Sequence, residues 1–260
     1  MSLGLVIREL EGTEDIKEST LVIKKYILDN FNVKVKYFQY YYDDALQAGK
    51  SKYNFIHMPF TVKIENTHKY LHTLNTYLGS LPSKSSNLVI HLRNETPKQV
   101  AEFLNAYQQR FNSELQNHNI YWEHSVNPKN KYFEFKDIQN LMLTLNKESD
   151  ISNNFCLDTC HIHNMGYSIS TPTEVMAYFK PIFKLSKILK FKLLVHLNDS
   201  LDPLGSYKDR HSHIGKTIWK NSDGYVTLIK LCKYYDVPYI LEIPTKNYIN
   251  SINKNISKIL

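Results

Sequence analysis

NLVIH at 87–91, TPKQVAEFLNAYQQRFNSELQ at 96–116 and NIYWE at 119–123 follow one another with short joins between them. The outer two runs are short, apolar and rich in β-branched or aromatic residues, the composition of buried strands. The middle stretch is amphipathic, and Thr96 followed by Pro97 is a good helix start, with Thr as N-cap and Pro at the first helical position. The three together predict a strand, a crossover helix and a parallel neighbouring strand. Six further runs extend the rhythm: LGLVI at 3–7, NVKVKYF at 32–38, YNFIH at 53–57, NFCLD at 154–158, KLLVH at 192–196 and PYILE at 238–242. FEFKDIQNLMLTLNK at 133–147 and TPTEVMAYFKPIFKLSKILK at 171–190 read as helices, the second opened by Thr171-Pro172 and kinked or split at Pro181. Eight strand–helix units in 260 residues match a (β/α)8 barrel, an α/β fold. Neither a linker nor a low-complexity segment interrupts them, so residues 1–260 are expected to form a single domain.

Six of the eight runs end in His, Glu or Asp: His57, His91, Glu123, Asp158, His196 and Glu242, spaced 34, 32, 35, 38 and 46 residues apart. Each interval accommodates one strand, one helix and a return. Parallel barrels gather their chemistry at the C-terminal ends of the strands, so these six side chains should converge at one mouth. A lone polar residue closing a strand is ordinary, but six in succession are not. Crowded carboxylates repel unless a cation compensates, and a mixture of imidazole nitrogen and carboxylate oxygen suits zinc or manganese.

Two further clusters extend the set. In LDTCHIHNMGY at 157–167, His161 starts the loop three residues after Asp158. Cys160 beside it is a soft donor among hard ones and reads as a packing residue. In HLNDSLDPLGSYKDRHSHIGKTIW at 196–219, Asp209 and His211 form an i, i+2 pair that an extended backbone aims the same way. With His161 they make a third possible cation site. Lys208, Arg210 and Lys216 add positive charge there, either as a solvated loop or as phosphate contacts.

Composition narrows the class. Lys plus Arg is 32 against 25 Asp plus Glu, a formal charge of +7 that favours a polyanionic partner. Three cysteines are too few and too odd for a disulfide framework, and the N-terminal stretch lacks a secretory pattern, so an intracellular setting is expected, whether cytoplasm, nucleus or viral factory. Glycine occurs 8 times, never as GxG, which removes a dinucleotide fingerprint. Gly215-Lys216-Thr217 resembles the tail of a phosphate loop, but Arg210 stands where its first glycine belongs. The richness in Lys, Asn, Ile and Tyr fits an AT-rich genome, such as that of a large DNA virus or a low-GC microbe.

LDTCH, HLNDSLDPLGSYKDRH, GKTIW and ILE closely resemble the signatures of endonuclease IV, the zinc-dependent apurinic/apyrimidinic endonucleases. The resemblance is strong over 154–244 and continues upstream through the strand-end residues. It implies a barrel holding three zinc ions. His57, His91 and Glu123 would hold the first; Glu123, Asp158, His196 and Glu242 the second, with Glu123 bridging; His161, Asp209 and His211 the third. It further implies a monomer that hydrolyses the phosphodiester 5′ to an abasic site in double-stranded DNA and removes 3′-blocking groups, with Glu242 and Glu123 as the catalytic carboxylates. Paired ions about 3.5–4 Å apart would activate a shared water and neutralise the phosphate. An abasic nucleotide is cheap to extrude, and the gap would be filled by inserted side chains. Phe60 sits where the family carries an aromatic wedge; as a bare sequence position it could equally be core. The chain departs from the family in LGLVIREL, in Gln39-Tyr40-Tyr41-Tyr42-Asp43, in LRNET after His91 and in HSVNPKN after Glu123. The tyrosine run, Tyr41 included, could stack on bases or cover the barrel.

Three rival readings bear on the same residues. A sugar isomerase or epimerase uses a similar Glu, Asp, His, Glu quartet but has no need of His161, Asp209 and His211. A non-catalytic DNA-binding relative would not need all nine ligands. A general phosphodiesterase acting on blocked 3′ ends is compatible with abasic-site cleavage.

Overall fold

The computed structural model describes residues 3–259 apart from 9, 11, 12, 49–53, 66, 82–85, 112, 113, 245 and 246. Tyr53, at the head of the third predicted run, lies outside the described residues. In chain order the elements are β1 (Leu3–Ile7), α1 (Ile16–Phe31), β2 (Tyr37–Tyr41), α2 (Tyr42–Ala48), β3 (Asn54–His57), α3 (His68–Ser80), β4 (Asn87–Leu92), α4 (Pro97–Phe111), β5 (Asn119–His124), α5 (Phe135–Glu148), β6 (Ser152–Asp158), α6 (Thr159–Asn164), α7 (Pro172–Leu189), β7 (Leu193–Leu197), β8 (Asp199–Ser200), β9 (His211–Ser212), α8 (Gly224–Tyr235), β10 (Tyr239–Leu241) and α9 (Tyr248–Ile259). Strands β1 to β7 and β10 close an eight-stranded parallel barrel in sequence order, and β8 pairs antiparallel with β9 as a small flap. Among the described residues no helix is long and apolar enough to cross a membrane.

The alternation of side chains along a strand sorts the core into two parts. Outward residues such as Leu88, Ile90, Ile120, Trp122, Phe155 and Leu157 pack under the helices. Inward residues Val6, Phe55, Val89, Tyr121, Cys156, Leu194 and Ile240 form a separate cluster inside the barrel. Six of these stand two positions before His57, His91, Glu123, Asp158, His196 and Glu242. Each of those polar residues therefore points inward, directly above an apolar plug. Gly4 lets β1 into the same crowded interior: a Cβ there would meet Ile240 Cγ1 at 2.7 Å and Tyr239 O at 3.2 Å.

Helix starts follow the sequence. Thr171 and Glu174 complete a capping box on α7, the Thr171 hydroxyl accepting from Glu174 N and the Glu174 carboxylate from Thr171 N. The Thr171 backbone N–H, with the hydroxyls of Ser168, Ser170 and Thr171, holds the Glu174 carboxyl down at about 2. Thr171→Ala should cost about 1 kcal/mol, read as a lower midpoint in urea unfolding with an unchanged slope.

One expectation is narrowed and one corrected. Helix α7 runs unbroken through Pro181, so it is not split. Pro181 and Ala177, whose carbonyl loses its donor, both lie on the exposed face, where water can substitute. The second strand is not 32–38 but Tyr37–Tyr41, because pairing with β1 begins only at Gly4 opposite Tyr37.

Candidate metal centre

The register of the barrel places His91 opposite Glu123 on β4 and β5, and Asp158 opposite His196 on β6 and β7. Glu123 is the hub. Its Oε2 lies 3.1 Å from His57 Nε2 and 3.2 Å from His91 Nε2; its Oε1 lies 2.9 Å from His196 Nδ1. His196 Nδ1 is also 2.9 Å from Glu242 Oε2 and 3.8 Å from Asp158 Oδ2. His161 Nε2 and His211 Nε2 each stand 3.2 Å from Asp209 Oδ1. The donor atoms fall into groups, each within 4.8 Å: His57, His91 and Glu123; Glu123, Asp158, His196 and Glu242; His161, Asp209 and His211. Cys156 and Cys160 border them, the first near Glu123 and His196, the second near Asp158 and His211.

Local structure aims each group. His161 is not on a loop: it belongs to α6, whose N-cap is Asp158, with Asp158 Oδ1 accepting from His161 N at 2.8 Å. That single bond sets two ligands in fixed relation. The β8–β9 flap carries His211 back over the mouth, with Ser200 opposite His211. Asp199 anchors the flap, its buried carboxylate accepting from the backbone N–H groups of Gly215, Lys216, Thr217 and Ile218 at 2.7–3.1 Å.

Two of the histidines are oriented as metal ligands would be. His57 Nδ1 faces Met58 O at 3.1 Å and His161 Nδ1 faces His124 O at 2.7 Å, so a proton donated there leaves Nε2 as a lone pair toward the carboxylates. The buried Nε2 atoms of His161 and His211 lie beside Asp209 Oδ1 without hydrogen-bond geometry, and Nδ1 of His91 has no hydrogen-bond partner. Buried polar atoms are rarely left so, and a cation would satisfy the two Nε2 atoms. His124 is itself pushed down to about 3 by burial, which keeps it neutral and lets its Nε2 accept from Asp158 N at 3.0 Å.

Charge balance points the same way. Burial disfavours an ionised Glu123, but His196 and His91 outweigh it and hold the carboxyl well below its ordinary value. Glu242 is likewise held at about 2, against burial, chiefly by His196. His211 rises to about 9 because Asp158 and Asp209 overcome its burial. Without a cation, protons on imidazole must balance the buried carboxylates; cation uptake would displace them. Imidazole nitrogen and carboxylate oxygen in these numbers fit zinc.

Over 122 residues, 47% of this chain and 42% of its relative, the sequence is 35% identical to "Probable endonuclease 4" of Aquifex aeolicus. Over that stretch this chain is similar to endonuclease 4. The match spans about two-fifths of that relative's length, and no family model matches the chain. The solved structure of AsfvAP:AG superposes with a TM-score of 0.80 at 16% identity, covering 99% of this chain and 97% of that one. Endonuclease IV from Thermus thermophilus superposes with a TM-score of 0.64 at 16% identity and the same coverage. At such identities these two likenesses bear on the barrel fold.

The residues expected to meet DNA are placed unequally. Phe60 is not core: it is 58% exposed, its ring stacked on His91 at 4.4 Å between centroids. Tyr41 is half-buried, its hydroxyl donating to Glu242 Oε1 at 3.1 Å beneath the Arg8 guanidinium. Lys208 and Lys216 are exposed. Arg210 is exposed too, but its guanidinium is engaged with the Asp202 carboxylate, with Nε 2.8 Å from Oδ2. Sequence reasoning missed Gln39, Asn198 and Asp199. Asn198 Nδ2 donates to Asp158 Oδ2 at 2.7 Å, and its Oδ1 accepts from Thr159 Oγ1 and Cys160 N. The dipeptide Asn198-Asp199 lay two residues beyond a strand-end ligand, and that proximity was the available signal.

Proposed function

We propose that this chain is an intracellular, monomeric, single-domain zinc endonuclease that cuts double-stranded DNA 5′ to abasic sites and also removes 3′-blocking groups. The observation that carries the reading is the meeting of His57, His91, Glu123, Asp158, His161, His196, Asp209, His211 and Glu242 in three adjoining donor groups at one barrel mouth. An epimerase reading leaves His161, Asp209 and His211 without a role. The net charge of +7 suits a polyanionic substrate.

The first group would be His57, His91 and Glu123, the second Glu123, Asp158, His196 and Glu242, the third His161, Asp209 and His211. Zinc held there would supply Lewis-acid charge for the scissile phosphate and acidify a water. The protein's own part is positional and electrostatic. Glu123 belongs to two groups and fixes their separation. Glu242 turns Oε2 toward His196 and is placed to orient the attacking water or take its proton. Lys208 and Lys216 offer charge to flanking phosphates, with Arg210 beside them. Phe60, exposed and stacked on a ligand, is positioned to enter the gap left by the missing base.

Purified protein should retain zinc in proportion to the three groups and cut an abasic duplex to a 3′-hydroxyl and a 5′-deoxyribose phosphate. Prolonged chelation should abolish cleavage, and added zinc should restore it. A single ion per chain with no incision would favour the isomerase reading. DNA binding without incision by zinc-loaded protein would favour a non-catalytic binder.

A further inference from the structure

Two barrel strands carry no ligand, and one of them still reaches the centre. On β2 the inward positions above Tyr37 are Gln39 and Tyr41. Gln39 is fully buried, with its Oε1 2.8 Å from His196 Nε2 and its Nε2 3.3 Å from Glu242 Oε1. Tyr41 Oη reaches the same Glu242 oxygen at 3.1 Å. The Tyr41 ring is pinned in turn by Arg8, whose Cζ lies 3.7 Å over it and whose Nη1 is 3.3 Å from Asp44 Oδ2.

These contacts leave one consistent assignment. A carboxylate oxygen accepts and does not donate, so the amide NH2 of Gln39 must face Glu242 and its carbonyl oxygen must face His196. His196 Nε2 therefore carries the hydrogen. That leaves Nδ1 turned into the space between Glu123 Oε1 and Glu242 Oε2, 2.9 Å from each. The same amide and the Tyr41 hydroxyl occupy Glu242 Oε1, so Oε2 is the oxygen left for the centre.

We propose that Gln39 and Tyr41 are positioning residues for the second cation group: Gln39 fixes the His196 tautomer, and the two together fix which oxygen of Glu242 is a ligand. The proposal rests on the zinc reading above. It also gives the departure at 39–43 a task in holding metal. Partners of this kind, hydrogen-bonded to ligands, typically set metal affinity by roughly 10–100-fold.

The test uses the full chain with zinc as the probe. Wild type, Gln39→Met and Tyr41→Phe are loaded with zinc and titrated with a competing chelator, while circular dichroism reports the fold. Cobalt substitution then reads the coordination environment through its visible bands. Gln39→Met should release zinc from one group about tenfold or more sooner, with the group of His161, Asp209 and His211 unchanged. Tyr41→Phe should produce a smaller shift of the same group, and Gln39→Asn a partial rescue relative to Met. Both variants should alter the cobalt spectrum. If both folded variants hold zinc and give cobalt spectra as wild type does, the proposal is overturned while the zinc reading stands. If wild type itself retains no zinc, the underlying reading fails. Should Gln39→Met not fold, Tyr41→Phe, which removes one oxygen from a half-buried ring, decides alone.

Discussion

Replacing Glu123 by Gln should lower the incision rate by on the order of a thousandfold or more and empty two of the three cation groups at once. Glu123 touches four histidines: His57, His91, His196 and, with Oε1 3.7 Å from Nδ1, His161 of the third group. The amide is the same size, so packing above Tyr121 is preserved. What changes is that one oxygen becomes an NH2, which cannot share a cation and faces imidazole nitrogens that themselves need a lone pair free. Zinc measured per chain by mass spectrometry should fall to the content of the His161, Asp209 and His211 group. Full zinc content together with wild-type incision would remove Glu123 from its bridging role.

The largest stability effect is expected outside the cation groups. Asp199→Ala should destabilise the fold by about 3–5 kcal/mol, a drop of roughly 10 °C or more in Tm. Its two oxygens accept from five consecutive backbone N–H groups, Gly215 to Trp219, and from Ser200 N. Alanine would leave the buried donors, notably those of Ile218 and Trp219, without an acceptor. The same carboxylate ties β8 to the segment following β9, so His211 should lose its fixed position and zinc in the third group should bind more weakly. A calorimetric scan with chelated protein separates the two effects. An unchanged Tm would mean that the 215–219 segment is held by other contacts.

Asp199 also explains why Gly215-Lys216-Thr217 looked like part of a phosphate loop. The segment does wrap its amides around an anion, but the anion is a side chain of the same protein.

The barrel and the strand-end residues were legible because two signals coincided on six strands: an apolar run and a terminal His, Glu or Asp. Alternation then did the rest, since a residue two positions above an inward apolar one must also face inward. The second strand broke this coincidence. Val33 and Val35 are buried and attract a strand assignment, but they precede the pairing with β1. Ending that strand at Phe38 hid the inward orientation of Gln39 and Tyr41. The helical setting of His161 was hidden because α6 is only Thr159–Asn164, too short for periodicity to show. Arg210 read as a free cation because its partner Asp202 lies across a turn whose closure sequence spacing does not reveal.

The apolar plug of Phe55, Val89, Tyr121, Cys156, Leu194 and Ile240 seals the barrel on the side away from the flap. On the function proposed above, cations and nucleic acid would approach from the mouth, past Phe60 and the exposed lysines. A duplex lying across that doorway would shut the ions away from bulk solution, so the substrate itself would complete the walls of the reaction chamber.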